Sequence, residues 1–161
     1  MRGALIGTGI AFAVAIAAGV AFFTTPKNRG FAPQTFTKAD IEMGRALYAQ
    51  GCAVCHGVNL EGQPDWQSTG ADGKLPAPPH DVTGHTWHHK DSVLFDYIKL
   101  GGQKFLTDQG IDFDSGMPSF GDQLSDTEIN NILAFIKSTW PDRERQAQAD
   151  RTRAALELEG N

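Results

Sequence analysis

From Gly3 to Phe23 the chain carries no charged residue, and Arg2 on one side with Lys27 and Arg29 on the other bound the run. About 20 apolar residues are what a helix needs to cross the hydrocarbon core of a bilayer, so the stretch predicts a membrane-spanning helix. It is longer than the apolar core of about 7–15 residues in a cleaved export signal, although Gly19-Val20-Ala21 offers small residues for a peptidase. Residues 1–24 are therefore expected to be a transmembrane anchor (or uncleaved signal). Residues 25–38 contain Pro26, Gly30 and Pro33 without periodicity and read as a flexible tether with a relaxed span of about 20 Å.

Helical periodicity begins after the tether. Ile41, Gly44, Leu47 and Tyr48 recur at helical spacing, which predicts a helix to about Gln50, capped by Thr37 or Asp40. A glycine inside it points to close approach by another helix. Val93, Leu94, Tyr97 and Ile98 share one face of a second predicted helix over 92–100, with Asp91 as its N-cap and Gly101-Gly102 as its stop. Ser125 followed by Glu128 is a capping-box signal, and the helix it opens runs through Ile129, Ile132, Leu133, Phe135 and Ile136 to about Thr139. The stretches Val58 to Pro79 and Lys104 to Gly121 are rich in Gly and Pro and read as long loops, of the kind that wrap something or carry function. Residues 141–161 hold mostly Arg, Glu, Gln and Ala beyond Pro141. They read as a charged C-terminal tail, a solvated and frayed helix.

Composition adds bounds to this layout. The 161 residues suit one small domain, residues 39–140, with segments on either side. Fourteen basic against nineteen acidic residues give a net charge of −5, which argues against nucleic acid and anionic lipid as partners.

Both cysteines of the chain stand in Cys52-Ala53-Val54-Cys55-His56. Two thiols at this spacing lie on one side of a helical turn and reach the two vinyl groups of one porphyrin, with the next histidine aimed at the iron. A dithiol redox pair has no need of that histidine, and a zinc knuckle needs a second ligand pair. A closed iron site also needs a sixth ligand. Of Met1, Met43 and Met117, Met43 precedes the motif on its own helix, on the same side of the haem as His56. Met117 stands in a distant loop before Pro118, and a proline restricts the preceding residue to extended conformations.

Taken together these residues resemble class I cytochromes c over about residues 39–140. Gly44-Arg45-Ala46-Leu47-Tyr48 resembles the family's amino-terminal helix and Ile132-Leu133-Ala134-Phe135-Ile136-Lys137 its carboxy-terminal one. The two cross at the glycine in that family, which would pair Gly44 with Phe135 and Ile132. The resemblance implies an all-α class I cytochrome c fold, three main helices around one covalent haem c, preceded here by a single transmembrane helix. It implies thioether attachment at Cys52 and Cys55 and axial ligation by His56 and Met117. Ala77-Pro78-Pro79 resembles the segment whose proline carbonyl accepts from the proximal imidazole, which assigns that part to Pro78, with Pro76 as the other candidate. Trp87 is similar to the tryptophan that donates to a haem propionate in many members. Two departures stand out: the family often has Leu where this chain has His80, and the stretch from Val58 to Pro76 is long.

Haem c is attached on the exported side of a membrane, so the implied location is the bacterial inner membrane, with the haem domain periplasmic. By the same analogy a quinol–cytochrome c oxidoreductase would be the donor and a haem–copper terminal oxidase the acceptor of a one-electron carrier that is not an enzyme. His80, His85, His88 and His89 leave two other readings open: a copper-handling or redox-sensing module using His85 with His88 or His89, or an imidazole in place of Met117. A haem enzyme with an open iron site is the remaining alternative.

Overall fold

The computed structural model describes residues 35–159; the expected anchor of residues 1–24 and most of the tether lie outside them. Every regular element among the described residues is helical, and none of these helices is long and apolar enough to cross a membrane. In chain order they are α1 (Lys38–Gly51), α2 (Ala53–His56), a 3-10 turn (Thr86–His88), α3 (Asp91–Leu100), α4 (Gly102–Asp108), α5 (Asp126–Ser138) and α6 (Asp142–Glu159).

Two capping boxes fix where the long helices start. Thr37 is the N-cap of α1: its hydroxyl accepts from the Asp40 amide and the Asp40 carboxylate accepts from the Thr37 amide at 2.8 Å. Ser125 and Glu128 do the same for α5, again with a 2.8 Å return bond. Each box satisfies two backbone N–H groups that a helix start would otherwise leave unpaired.

Helix α5 is the centre of the domain. Every residue from Ile129 to Ile136 is buried, as expected of a helix packed on more than one side. One side meets Tyr48, Leu60 and Trp140, the other Phe95 and Ile98, and Leu124 packs against both clusters. Complete burial of each such side chain is worth about 1.5–3 kcal/mol. The most extensive helix contact is α1 against α5. At Gly44 the two backbones meet: a Cβ there would fall on the Asn131 carbonyl, with the Ile132 amide nitrogen only 3.0 Å away. The close approach is thus backbone on backbone at Asn131–Ile132, which places Ile132, one of the two expected partners, at the crossing. Phe135 instead packs against Tyr48, ring centroids 5.4 Å apart, beneath the Arg45 guanidinium at 4.9 Å.

Three expectations are corrected. Asp91 is the first residue inside α3 and Lys90 its N-cap, with no side-chain cap. The Asp91 carboxylate is taken up elsewhere, accepting from Lys137 at 2.8 and 2.9 Å and from Gln148 at 2.6 Å. The loop expected from Lys104 hides α4, only seven residues long and opened by a glycine, too short for periodicity to register. The tail is not a solvated, frayed helix. Gln148 and Thr152 are buried at 1% and 7% exposure and bond to Asp91 and to the His89 carbonyl, which docks α6 onto the start of α3. Its apolar content is low, so this polar grip replaces a greasy face. The three main helices are therefore joined by a fourth long one.

The Gly44 crossing leaves no room for a side chain, and overpacking of this kind costs about 1–3 kcal/mol. Gly44→Ala is expected to lower the unfolding free energy by about 1–3 kcal/mol, read as a lower denaturant midpoint at unchanged slope. Gly51→Ala, whose Cβ would meet only the Phe120 ring at 3.5 Å, is expected to leave the midpoint unchanged or raise it slightly. Urea titrations of the two variants check both.

Candidate functional site

The last turn of α1 runs almost directly into the motif. The Cys52 amide still donates to Tyr48 O at 2.9 Å, and the amides of Cys55 and His56 donate back to Cys52 O at 3.1 and 2.9 Å. The five residues thus wind as one helical turn, with Cys55 exposed, Cys52 half-buried and His56 buried at 8% exposure. Gly57 ends the turn at φ +80°, a conformation that glycine adopts at no steric cost. Its carbonyl accepts from the Tyr48 hydroxyl at 2.9 Å. Leu60 follows at φ +70° with its side chain in the core, and its carbonyl accepts the amides of both His80 and Asp81, at 2.8 and 3.2 Å. A non-glycine residue holds this backbone only where its surroundings over-determine it.

The long Gly/Pro-rich stretch returns beneath the motif. His56 Nδ1 lies 2.8 Å from the Pro78 carbonyl. A carbonyl can only accept, so Nδ1 carries the proton and Nε2 keeps its lone pair for a metal. Burial holds the imidazole below its usual pKa, opposed by the Pro78 bond, and a neutral ring is the form that ligates. Of the two proline candidates, Pro78 is the one that supplies this acceptor. Burial and the neighbouring Cys55 push the Cys52 thiol up to about 11. It stays protonated at neutral pH, unlike the activated thiol of a dithiol redox pair.

His80 stands where the resemblance leads one to expect Leu, and its ring stacks on His56 with centroids 4.0 Å apart and planes 24° from parallel. Trp87 packs against the Tyr48 cluster, and its indole Nε1 is buried with no hydrogen-bond partner. A buried donor left unpaired costs about 1–3 kcal/mol, so this N–H fits a bound acceptor such as a propionate.

Met117 lies on the other side of α5, half-buried beside Phe95, Ile98, Ile129 and Leu133. Its loop is pinned to the end of α3. The Met117 carbonyl accepts from Gly102 N at 3.0 Å, its amide donates to Ser115 Oγ at 3.3 Å, and the Phe120 and Gly121 amides donate to Ile98 O and Lys99 O at 3.1 and 3.0 Å. Gly101 makes this possible with φ +79°, where a Cβ would meet the Ser119 amide. Met43, by contrast, is 53% exposed on α1.

The other histidines scatter. His85 stacks on Trp66, His88 meets the Trp87 ring edge-on and His80 turns toward His56. His85 and His89 rings approach to 5.4 Å, yet among the described residues no group of three or more His, Cys, Asp or Glu side chains converges to hold a metal ion. The aromatic partners draw His80 and His88 away, so His85 and His89 are the pair that stays close and no third side chain joins them.

A family model described as "Cytochrome c" matches residues 41–140, from α1 through Trp140. The chain belongs to the cytochrome c family. It is a class I c-type cytochrome whose cofactor is covalently attached haem c, the cofactor of haem-based electron transfer. The neutral His56, the two thiols on one turn and the orphaned Trp87 donor all fit that group. This cytochrome is 27% identical over 128 residues to a nitrite reductase of Stutzerimonas stutzeri, an alignment covering 76% of the chain and 20% of that protein. The chain thus matches about a fifth of its curated relative's length. No solved structure matches it.

Two contributors carried no local signal in the sequence. Trp140, buried at 2%, donates from Nε1 to the His80 carbonyl at 2.7 Å, and Thr86, buried at 6%, bonds to the His80 ring. Only the departure from Leu at position 80 pointed to the place where they meet.

Burial, together with His85, His88 and Arg151, holds the His89 imidazole below its ordinary value of 6.5 in the folded cytochrome. Below that value the unfolded chain binds the proton more readily, so stability is full above about pH 6.5 and falls on acidification. The urea midpoint is expected to drop between about pH 8 and pH 5.5, and His89→Gln is expected to make the drop smaller. An unchanged pH slope in that variant removes His89 as a contributor.

Proposed function

We propose that this cytochrome is a membrane-tethered carrier that passes single electrons between respiratory membrane complexes and catalyses no substrate reaction of its own. The observation that carries the reading is the His56 Nδ1–Pro78 O bond, because it presents a neutral, oriented Nε2 directly after two thiols on the same turn. Cys52 and Cys55 hold haem c through thioether bonds and keep it from dissociating. His56 would supply one ligand to its iron, made more basic by Pro78. Met117 would supply the other, on a loop whose amides and carbonyls are tied to α3 and α4. Trp87 donates to a propionate. Bound haem c supplies a reversible ferric–ferrous change. With His56 and Met117 both on the iron no site would be left for a substrate, and apolar side chains of α3 and α5 beside Met117 would favour the less charged ferrous form.

An anchor over residues 1–24 and a tether over residues 25–38 would hold the haem domain on the periplasmic side of the bacterial inner membrane. A short tether favours partners in the same membrane: a quinol–cytochrome c oxidoreductase as donor and a haem–copper terminal oxidase as acceptor, both by analogy. The net charge of −5 favours basic docking surfaces on these partners. The likeness to a part of a nitrite reductase favours a second reading, in which the electrons go to a reductase instead.

A pyridine haemochrome spectrum with a redox titration tests the reading. One covalent haem per chain, low-spin and with the weak Fe–S charge-transfer band, is expected. Met117→Ala is expected to abolish that band and open the iron to added ligands, while Met117→His lowers the potential, since thioether ligation raises it relative to bis-histidine. A Met117→Ala spectrum identical to wild type sinks the carrier reading and makes a haem enzyme with another iron environment the better account.

A further inference from the structure

We propose that His80 is a positioning residue for the axial histidine: its ring, laid against the face of the His56 ring, sets the orientation of that imidazole about the iron bond. The inference rests on His56 being the axial ligand. A hydrogen bond from Nδ1 to the Pro78 carbonyl fixes one atom of His56 in its plane, but leaves the ring able to rock about the line of that bond. A flat wall at 4.0 Å, only 24° from parallel, blocks the rocking motion.

The wall is itself held at every main-chain polar atom and at its ring. The His80 amide donates to Leu60 O at 2.8 Å, and its carbonyl accepts from Trp140 Nε1 at 2.7 Å. Thr86 Oγ1 lies 2.8 Å from His80 Nδ1 and 3.3 Å from Pro79 O. The hydroxyl has one proton, which Pro79 O accepts, so it accepts in turn from Nδ1–H of His80. That chain runs back through Pro79 to Pro78, so the wall and the His56 acceptor are parts of one bonded unit. The Tyr48 ring meets that of His80 nearly perpendicularly, with centroids 6.3 Å apart. A leucine here would fill similar space but would offer neither a planar face nor a bond to Thr86. Outer-shell groups that orient a ligand tune the metal it binds, and the plane of an axial imidazole determines how unpaired spin is spread over the porphyrin.

The test uses the full chain with its haem, in the wild type and in His80→Leu, His80→Phe and Thr86→Val. The readouts are the four haem-methyl resonances of the ferric protein by NMR and its g-values by EPR. Leu at 80 and Val at 86 are expected to change the order or spread of the methyl shifts and the g-anisotropy, with covalent haem and the Fe–S band retained. Phe, which keeps a flat face, is expected to stay closer to wild type than Leu. Should His80→Leu fail to take up haem, Thr86→Val and His80→Phe decide. Wild-type methyl shifts in the Leu or Val variant, even with a lowered melting temperature, overturn the positioning role and leave His80 as core packing. A wild-type protein without low-spin haem overturns the axial assignment of His56 and this inference with it.

Discussion

The bare backbone contact at Gly44 is the constraint from which the site descends. Because no Cβ separates α1 from the Asn131 carbonyl, the two helices approach closely enough for Tyr48, one turn further on, to be almost wholly buried against Phe135. Tyr48 then spends its hydroxyl on the Gly57 carbonyl, which pins the residue directly after His56. The motif is thus positioned from α1 through its backbone and from the α1–α5 crossing through one phenol. A side chain at position 44 would separate the helices and loosen both grips at once, since close-packed interiors transmit displacement instead of absorbing it.

The carboxy-terminal helix is coupled to the same place. Trp140, at the end of α5, bonds to the His80 carbonyl, and Gln148 of α6 bonds to the His89 carbonyl and the Asp91 carboxylate. Lys137 neutralises that carboxylate from a half-buried position. Removing Lys137 would leave the buried Asp91 carboxylate without its cation, a larger loss than that of a surface ion pair. The segment from His80 to Asp91 is therefore gripped at both ends by the last third of the chain. It has almost no regular structure of its own, and its order derives from these side-chain bonds to its carbonyls.

What could be read from the sequence divides along the same physical line. Helices α1 and α5 were legible because a capping box and a 3.6-residue apolar period are local. The motif was legible because its chemistry demands adjacent residues. Proline neighbours and a family resemblance led to Pro78 and Met117, and the structure shows a bond only for the first. The errors arose where a polar side chain is used at long range. Asp91 looks like an N-cap by type and place, yet Lys137 and Gln148 claim its carboxylate from across the domain. The tail lacks an apolar stripe, so periodicity predicts exposure, while two buried polar residues dock it. Four histidines stand within ten residues, yet ring contacts with Trp87 and His56 take His88 and His80 elsewhere, while His85 and His89 stay near each other.

His80 shows how one departure from a family pattern can reorganise its surroundings. An imidazole cannot simply replace an aliphatic side chain against the His56 ring, because its part-buried nitrogen needs a partner. Thr86 supplies that partner, and its own hydroxyl proton is supplied in turn to Pro79. The 3-10 turn carrying Thr86 and Trp87 is consequently drawn toward the motif, and the same turn buries the indole N–H that awaits an acceptor. The bond that holds the His80 ring and the burial of the Trp87 indole thereby depend on a single short turn. If His56 ligates the iron as proposed, this arrangement has a consequence for haem-based electron transfer: the less the ring and its surroundings move when the iron changes charge, the smaller the reorganisation that accompanies each transfer. A histidine fixed in its plane by Pro78 and across its face by His80 is restrained in the two directions in which it would otherwise yield.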